Sequence, residues 1–162
     1  MRRLLLIALG IALLALVLRP AASVLRDDGN PLDEAVLDGV ATTEVVGDVS
    51  TALGKVFSYA PDDVAATEQA AGRELSGTAL TQYRQLFGQV ERQAPAQRVT
   101  LTTRVVRAGV VSLTHDTARL LVFLDQTATR AGEPAGKPAA AQLLVTAHRE
   151  HGHWSITGLT SA

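Results

Sequence analysis

Asp125 and His148 form one pair whose types and expected strand positions suit acid–base chemistry. Asp125 closes the apolar run Leu120-Leu121-Val122-Phe123-Leu124, and His148 lies in Thr146-Ala147-His148-Arg149-Glu150. On neighbouring strands, buried and mutually oriented, such a pair could move a proton between itself and a substrate. The simpler reading has Asp125 capping a sheet rim and His148 at a polar strand end. His148, His151 and His153, with Glu150 between them, raise the question of a metal. Their spacing of three and two crosses an expected hairpin, which puts 148 and 151 on opposite sides of a turn; surface histidines at a hairpin tip explain them as well. No glycine-rich phosphate loop occurs. Cysteine is absent, which excludes disulfides, thiol catalysis and a lipid-modified cysteine anchor. The sequence therefore predicts a non-enzymatic chain with no cofactor, no metal and no catalytic residue.

The elements that would position these residues change type near the middle of the chain. Residues 26–32, Arg-Asp-Asp-Gly-Asn-Pro-Leu, carry turn chemistry and read as a linker. A long helix is predicted from about Asp33 to Phe57, on Val36, Val40, Val46, Val49, Leu53 and Val56; these recur at three- and four-residue steps apart from one step of six. Asp33 and Glu34 sit where the helix dipole favours anions. Pro61 suits the first position of a second, short helix running to about Ala71, with Asp62 and Asp63 in its first turn. A third helix, about Thr78 to Gln93, aligns Leu80, Tyr83, Phe87 and Val90, and Pro95 is expected to end it.

From Val99 onward β-branched residues dominate, and strands are expected. Val99–Leu113 is the first, with Gly109 marking a bulge or bend. Thr114-His115-Asp116 is a turn, Ala118–Thr129 the second and most apolar strand, and 130–138 an exposed loop holding Gly132, Pro134, Gly136 and Pro138. Ala141–Glu150, the tight turn His151-Gly152 and His153–Leu159 complete the sheet. Both faces of the second strand are apolar, so both are expected to be covered. Three helices and then four antiparallel strands read as an α+β domain with helices on one side of a curved sheet.

Ahead of this domain, Arg2 and Arg3 precede fifteen uncharged residues, Leu4–Leu18, and Arg19-Pro20 ends the run. A spanning helix needs about 20 apolar residues; snorkelling by Arg19 and the stretch Ala21–Leu25 would supply the length. Residues 1–25 thus read as a transmembrane helix or signal-anchor. A cleaved signal at Ala21-Ala22-Ser23 is the alternative left open. The N-terminus is expected in the cytoplasm and the domain, 33–162, on the extracytoplasmic side of the cell membrane.

Composition bounds the rest. Some 130 residues suffice for one modest core, and the six aromatics leave Val, Leu and Ala to fill it. A formal charge of −1 argues against nucleic acid as a partner. The charge is unevenly spread: Asp27–Glu74 holds eleven acids against Lys55 and Arg73, whereas residues from Leu75 onward hold five acids against nine bases. Asp33, Glu34, Asp62 and Asp63 are the candidate docking face for a partner. Leu121, Phe123 and Trp154 are candidate lining for an apolar pocket, or else plain core.

The order of anchor, long helix, Phe57-Ser58-Tyr59, Leu75-Ser76-Gly77, Arg107-Ala108-Gly109-Val110-Val111, Phe123-Leu124-Asp125-Gln126-Thr127 and closing Trp154 resembles the Mce-associated membrane proteins of actinobacteria. The chain departs from them at Ala60-Pro61, where a more polar stretch is expected. The resemblance implies an NTF2-like cone of helices against a strongly bent sheet. It also implies a non-enzymatic accessory role beside Mce systems, which carry lipids or sterols across the cell envelope. Mce complex proteins and the cytoplasmic membrane are the implied partners, and a lipid or sterol held in the cone is the alternative.

Overall fold

The computed structural model describes residues 39–130, 136 and 138–162, without the side chains of 93–95 and 97. The expected anchor 1–25, the linker 26–32, Asp33, Glu34 and most of the 130–138 loop lie outside the described residues. Three helices, α1 (Gly39–Val56), α2 (Val64–Glu74) and α3 (Gly77–Gln97), precede four strands, β1 (Val99–Leu113), β2 (Thr117–Arg130), β3 (Pro138–Glu150) and β4 (His153–Ser161). The strands form one antiparallel sheet in the order β1-β2-β3-β4. This is the α+β architecture that the change of residue chemistry at Val99 predicts.

Helix α1 buries Val45, Val49, Ala52, Leu53 and Val56. The predicted stripe was displaced at its start: Val40 is exposed and Val46 only half-buried, which removes the six-residue step from the pattern. Helix α2 begins later than Pro61 suggests. Residues 61–62 form a turn, and Asp63 takes the N-cap position without a side-chain capping bond. Helix α3 runs through Pro95 to Gln97. A proline this close to a helix end forfeits one backbone bond in the final turn, and the chain leaves the helix only at Arg98, whose φ is +50°.

The two short connections between helices each touch a sheet edge. Tyr59 exchanges both backbone hydrogen bonds with Leu101 on β1, each 2.9 Å. Leu75 bridges Ile156 on β4, with Ser76 N donating to Ile156 O at 2.9 Å. Gly77 then turns the chain into α3 with φ +54°. Both edge strands thus gain partial cover from backbone that would otherwise be unpaired. The β3–β4 turn has φ +52° at His151 and +81° at Gly152, the paired positive values of a type I′ hairpin turn, as expected.

Strand β1 holds two bulges, at Val106 and Val111, flanking Gly109 rather than located on it. Val106 with Arg107 opposes Phe123, and Val111 with Ser112 opposes Arg119. Each extra residue resets the alternation. Thr103 and Val105, then Ala108 and Val110, then Leu113, therefore all sit beside inward residues of β2. The inward set of β2 is Ala118, Leu120, Val122, Leu124 and Gln126, all buried. With Leu53, Leu75, Leu143, Val145, Trp154 and Ile156 they form the core between sheet and helices. The expectation that both faces of β2 are covered fails. Leu121 is half-buried and Phe123 is 37% exposed, because no described element packs on the outer side.

Candidate functional site

The acid–base pair is not assembled. His148 stands opposite Thr117 on β2, and Asp125 lies eight residues further along that strand, opposite Ala140. At about 3.3 Å per residue this separates them by roughly 26 Å. The His148 ring instead shares a 3.3 Å contact between Nδ1 and Thr117 Oγ1. His151 and His153 are exposed on the hairpin, and no group of three metal-ligating side chains occurs among the described residues.

The candidate pocket residues are also divided. Trp154 faces inward and is 2% exposed, whereas Leu121 and Phe123 alternate to the outer face of the sheet. They line no common cavity, because successive strand residues point to opposite sides. Inside, Val45, Val49, Leu53, Leu120, Val122, Val145 and Ile156 expose nothing. A side chain that no water-sized sphere can touch does not line a ligand cavity, so this part of the cone is filled by its own core. The Trp154 indole N–H has no hydrogen-bond partner among the described residues. Its ring is instead covered by Arg149, whose guanidinium carbon lies 5.8 Å from the ring centroid. Arg149 in turn bonds Glu44 on α1 at 2.9 Å.

Two polar constellations were not anticipated. At one, Thr103 Oγ1 donates to Phe57 O at 2.7 Å and accepts from Gln126 Nε2 at 3.0 Å, while Thr103 N donates to Ser58 Oγ at 2.9 Å. Thr67 Oγ1 donates to Ser58 O at 3.0 Å, which ties α2 to the same turn. At the other, Lys55 Nζ meets Glu74 Oε1 at 2.7 Å, with His153 Nε2 3.9 Å from Glu74 Oε2. Glu74 could have been found from its spacing: Val64, Thr67, Ala71 and Glu74 continue one buried stripe of α2. Both constellations join elements to one another, with every named group engaged within the domain.

Beside the first, Tyr83 stacks on Phe87 with centroids 5.1 Å apart, meets Phe57 edge-on at 6.2 Å, and donates its hydroxyl to Val56 O at 2.8 Å. Burial holds the Tyr83 phenol well above its ordinary value, and the Glu68 carboxylate pushes in the same direction. Burial also raises Tyr59. A phenol raised in the folded state contributes stability that is fully present below its unfolded value near 10 and is lost as the pH climbs toward the folded one. Alkaline titration should therefore weaken the fold above about pH 10. The pH slope should shrink in Tyr83→Phe when denaturation is followed at several alkaline pH values.

Of the candidate docking residues in the described region, Asp62 and Asp63 are both exposed at the entrance to α2. They form no ion pair among the described residues.

With the site reduced to surfaces, comparison with known proteins bears on what the surfaces serve. No family model matches the chain. Over 145 residues the chain is 32% identical to the outer membrane protein Rv1973 of Mycobacterium tuberculosis (strain ATCC 25618 / H37Rv), covering 89% of this chain and 88% of that protein. The chain belongs to the family of Rv1973. A second relative is the uncharacterized protein Rv1362c of the same strain, 35% identical over 124 residues. That alignment takes in 76% of this chain but only 56% of Rv1362c, so the chain spans about half the length of that relative.

Among solved structures, a periplasmic fragment of TraM matches with TM-score 0.61 at 11% identity, over 74% of this chain and 95% of that one. CagV, a VirB8 homolog of the type IV secretion system of Helicobacter pylori, matches with TM-score 0.59 at 14% identity, over 73% and 98%. At such identities the likeness shows the fold alone. The three helices and four-stranded antiparallel sheet of this Rv1973 relative thus share their fold with those two domains.

Proposed function

We propose that this chain is a non-enzymatic, membrane-anchored interaction domain on the extracytoplasmic side of the cell membrane, assisting an Mce-type lipid or sterol import complex. The observation that carries the reading is the closed interior: side chains with no exposed surface fill the space between helices and sheet, leaving the outside to act. The dispersal of Asp125 and His148 supports it from the side of chemistry. The fold is one that a periplasmic fragment of TraM and CagV also use, and the second of these is named as a secretion-system component. The resemblance of the Phe57-Ser58-Tyr59, Leu75-Ser76-Gly77 and Phe123–Thr127 segments supplies the Mce system as the particular partner.

Asp62 and Asp63 are the docking residues of this reading, together with Asp33 and Glu34 from the sequence outside the described region. Reversing Asp62 and Asp63 to lysine should weaken co-purification of Mce components while lowering the melting temperature only slightly, because both side chains are solvent-exposed and lose no more than the helix-dipole contribution. Exposed charges act mainly on encounter and specificity, so the loss should be larger at low salt. Asp125→Asn and His148→Ala should leave lipid uptake intact. Loss of uptake by either variant in a folded, correctly localised protein would reject the non-enzymatic reading.

A further inference from the structure

The outer face of the sheet is the one large surface that the described residues leave uncovered by any helix. It carries Leu121 and Phe123 from β2, with Leu144 beside Leu121 on β3. The two bulges add Val106 and Val111, 50% and 59% exposed, without removing Val105 or Val110 from the core side. A bulge that only corrected register would be satisfied by a polar residue; here both extra residues are valine. Around these apolar groups stand Arg104, Arg107 and Arg119, which have no carboxylate within 4.0 Å among the described residues. The acids facing the surface from β2 and β3 are Asp125, the register partner of Arg104, and Glu150 at the hairpin end.

We propose that this outer sheet face rests on a bilayer surface containing anionic lipid headgroups. Apolar side chains ringed by arginines match the boundary between headgroups and acyl chains, where guanidiniums reach phosphate while their stems and the valines stay in apolar surroundings. The proposal rests on the anchored reading above, through the length of the intervening chain. Arg19–Asp38, twenty residues, separate the apolar run from α1. In any conformation these span at most about 70 Å, so an anchored domain never leaves the neighbourhood of its own bilayer and binding there is effectively intramolecular. Each arginine near an anionic surface adds to the attraction. A second copy meeting this face with its own would set arginine against arginine. The charge division of the chain also fits: with the basic sheet turned to the bilayer, the acidic residues Asp62 and Asp63 on the helical layer remain free for a protein partner.

The chain has no cysteine, so Val106→Cys and Val111→Cys each give a single labelling site, with Glu68→Cys on the exposed side of α2 as control. The labelled full chain is reconstituted into vesicles of phosphatidylcholine alone or mixed with phosphatidylglycerol. The proposal expects a blue shift and loss of access to an aqueous quencher at 106 and 111 in the mixed vesicles only, reversed by high salt and absent from an Arg104→Glu, Arg107→Glu, Arg119→Glu variant. The label at 68 should not change. Equal quencher access in both vesicle types overturns the proposal. So does shielding that depends on protein density rather than lipid charge, which would assign the face to a second copy, or shielding that requires an added acidic protein. The arginine variant also separates the two readings. Retained association with Mce components alongside lost lipid contact is expected; if Asp62 and Asp63 reversal instead leaves that association intact, the docking reading fails while lipid contact stands.

Discussion

Trp154→Ala is expected to cost about 3–5 kcal/mol of folding free energy, whereas Phe123→Ala should cost about 1 kcal/mol or less. The two aromatics look alike in sequence, each set in a β-branched strand, and the structure separates them by face. Trp154 is buried against the core cluster and supports the Arg149 guanidinium that links β3 to Glu44 on α1. Removing the ring opens a cavity and frees Arg149 from its platform. Phe123 stands 37% exposed opposite the Val106–Arg107 bulge, so its removal mainly changes outer-surface contacts. Trp154→Phe should recover most of the alanine loss, because the indole N–H that it deletes has no partner among the described residues. Equilibrium denaturation with unchanged slope is the measurement. Equal losses for Trp154→Ala and Phe123→Ala would mean that the outer face is covered in solution.

How far the sequence could be read follows from which signals are local. The α+β order was legible because helical periodicity gives way to Val- and Thr-rich runs at one place, Val99, and because His151-Gly152 is a hairpin turn by residue type. Strand faces were less legible. Leu120–Leu124 is apolar at every position, so alternation cannot say which side meets the helices; the answer depends on how many layers the fold has. In β1 the bulges break the two-residue period twice, and a pattern reset at Val106 and Val111 looks like no pattern at all. The same disguise hid Thr103, whose inward phase is visible only once the first bulge is known. Asp125 and His148 belong on adjacent strands as expected, but adjacency does not set register. Antiparallel pairing carried them to opposite ends of the β2–β3 ladder.

Thr103→Val should destabilise the domain by about 2–6 kcal/mol with almost no change in volume or strand preference. Thr103 and Gln126 are both buried, and the Thr103 hydroxyl serves two partners at once: it donates to Phe57 O and accepts from Gln126 Nε2. Valine keeps the branched shape and leaves two buried polar groups unsatisfied, each costing about 1–3 kcal/mol. The loss falls on the junction where α1 ends, the Ser58–Tyr59 turn bridges the β1 edge and Thr67 holds α2 in place. Amide protection at Tyr59 and Leu101, which exchange backbone bonds across this junction, should therefore drop more than protection in the β3–β4 hairpin. Gln126→Leu in the Thr103→Val background removes one of the orphaned groups along with its partner. The double variant should accordingly be more stable than the sum of the single losses by about 1–2 kcal/mol. Additive losses, or a Thr103→Val cost below about 1 kcal/mol, would mean that water reaches the hydroxyl and that the junction is looser than its hydrogen bonds imply.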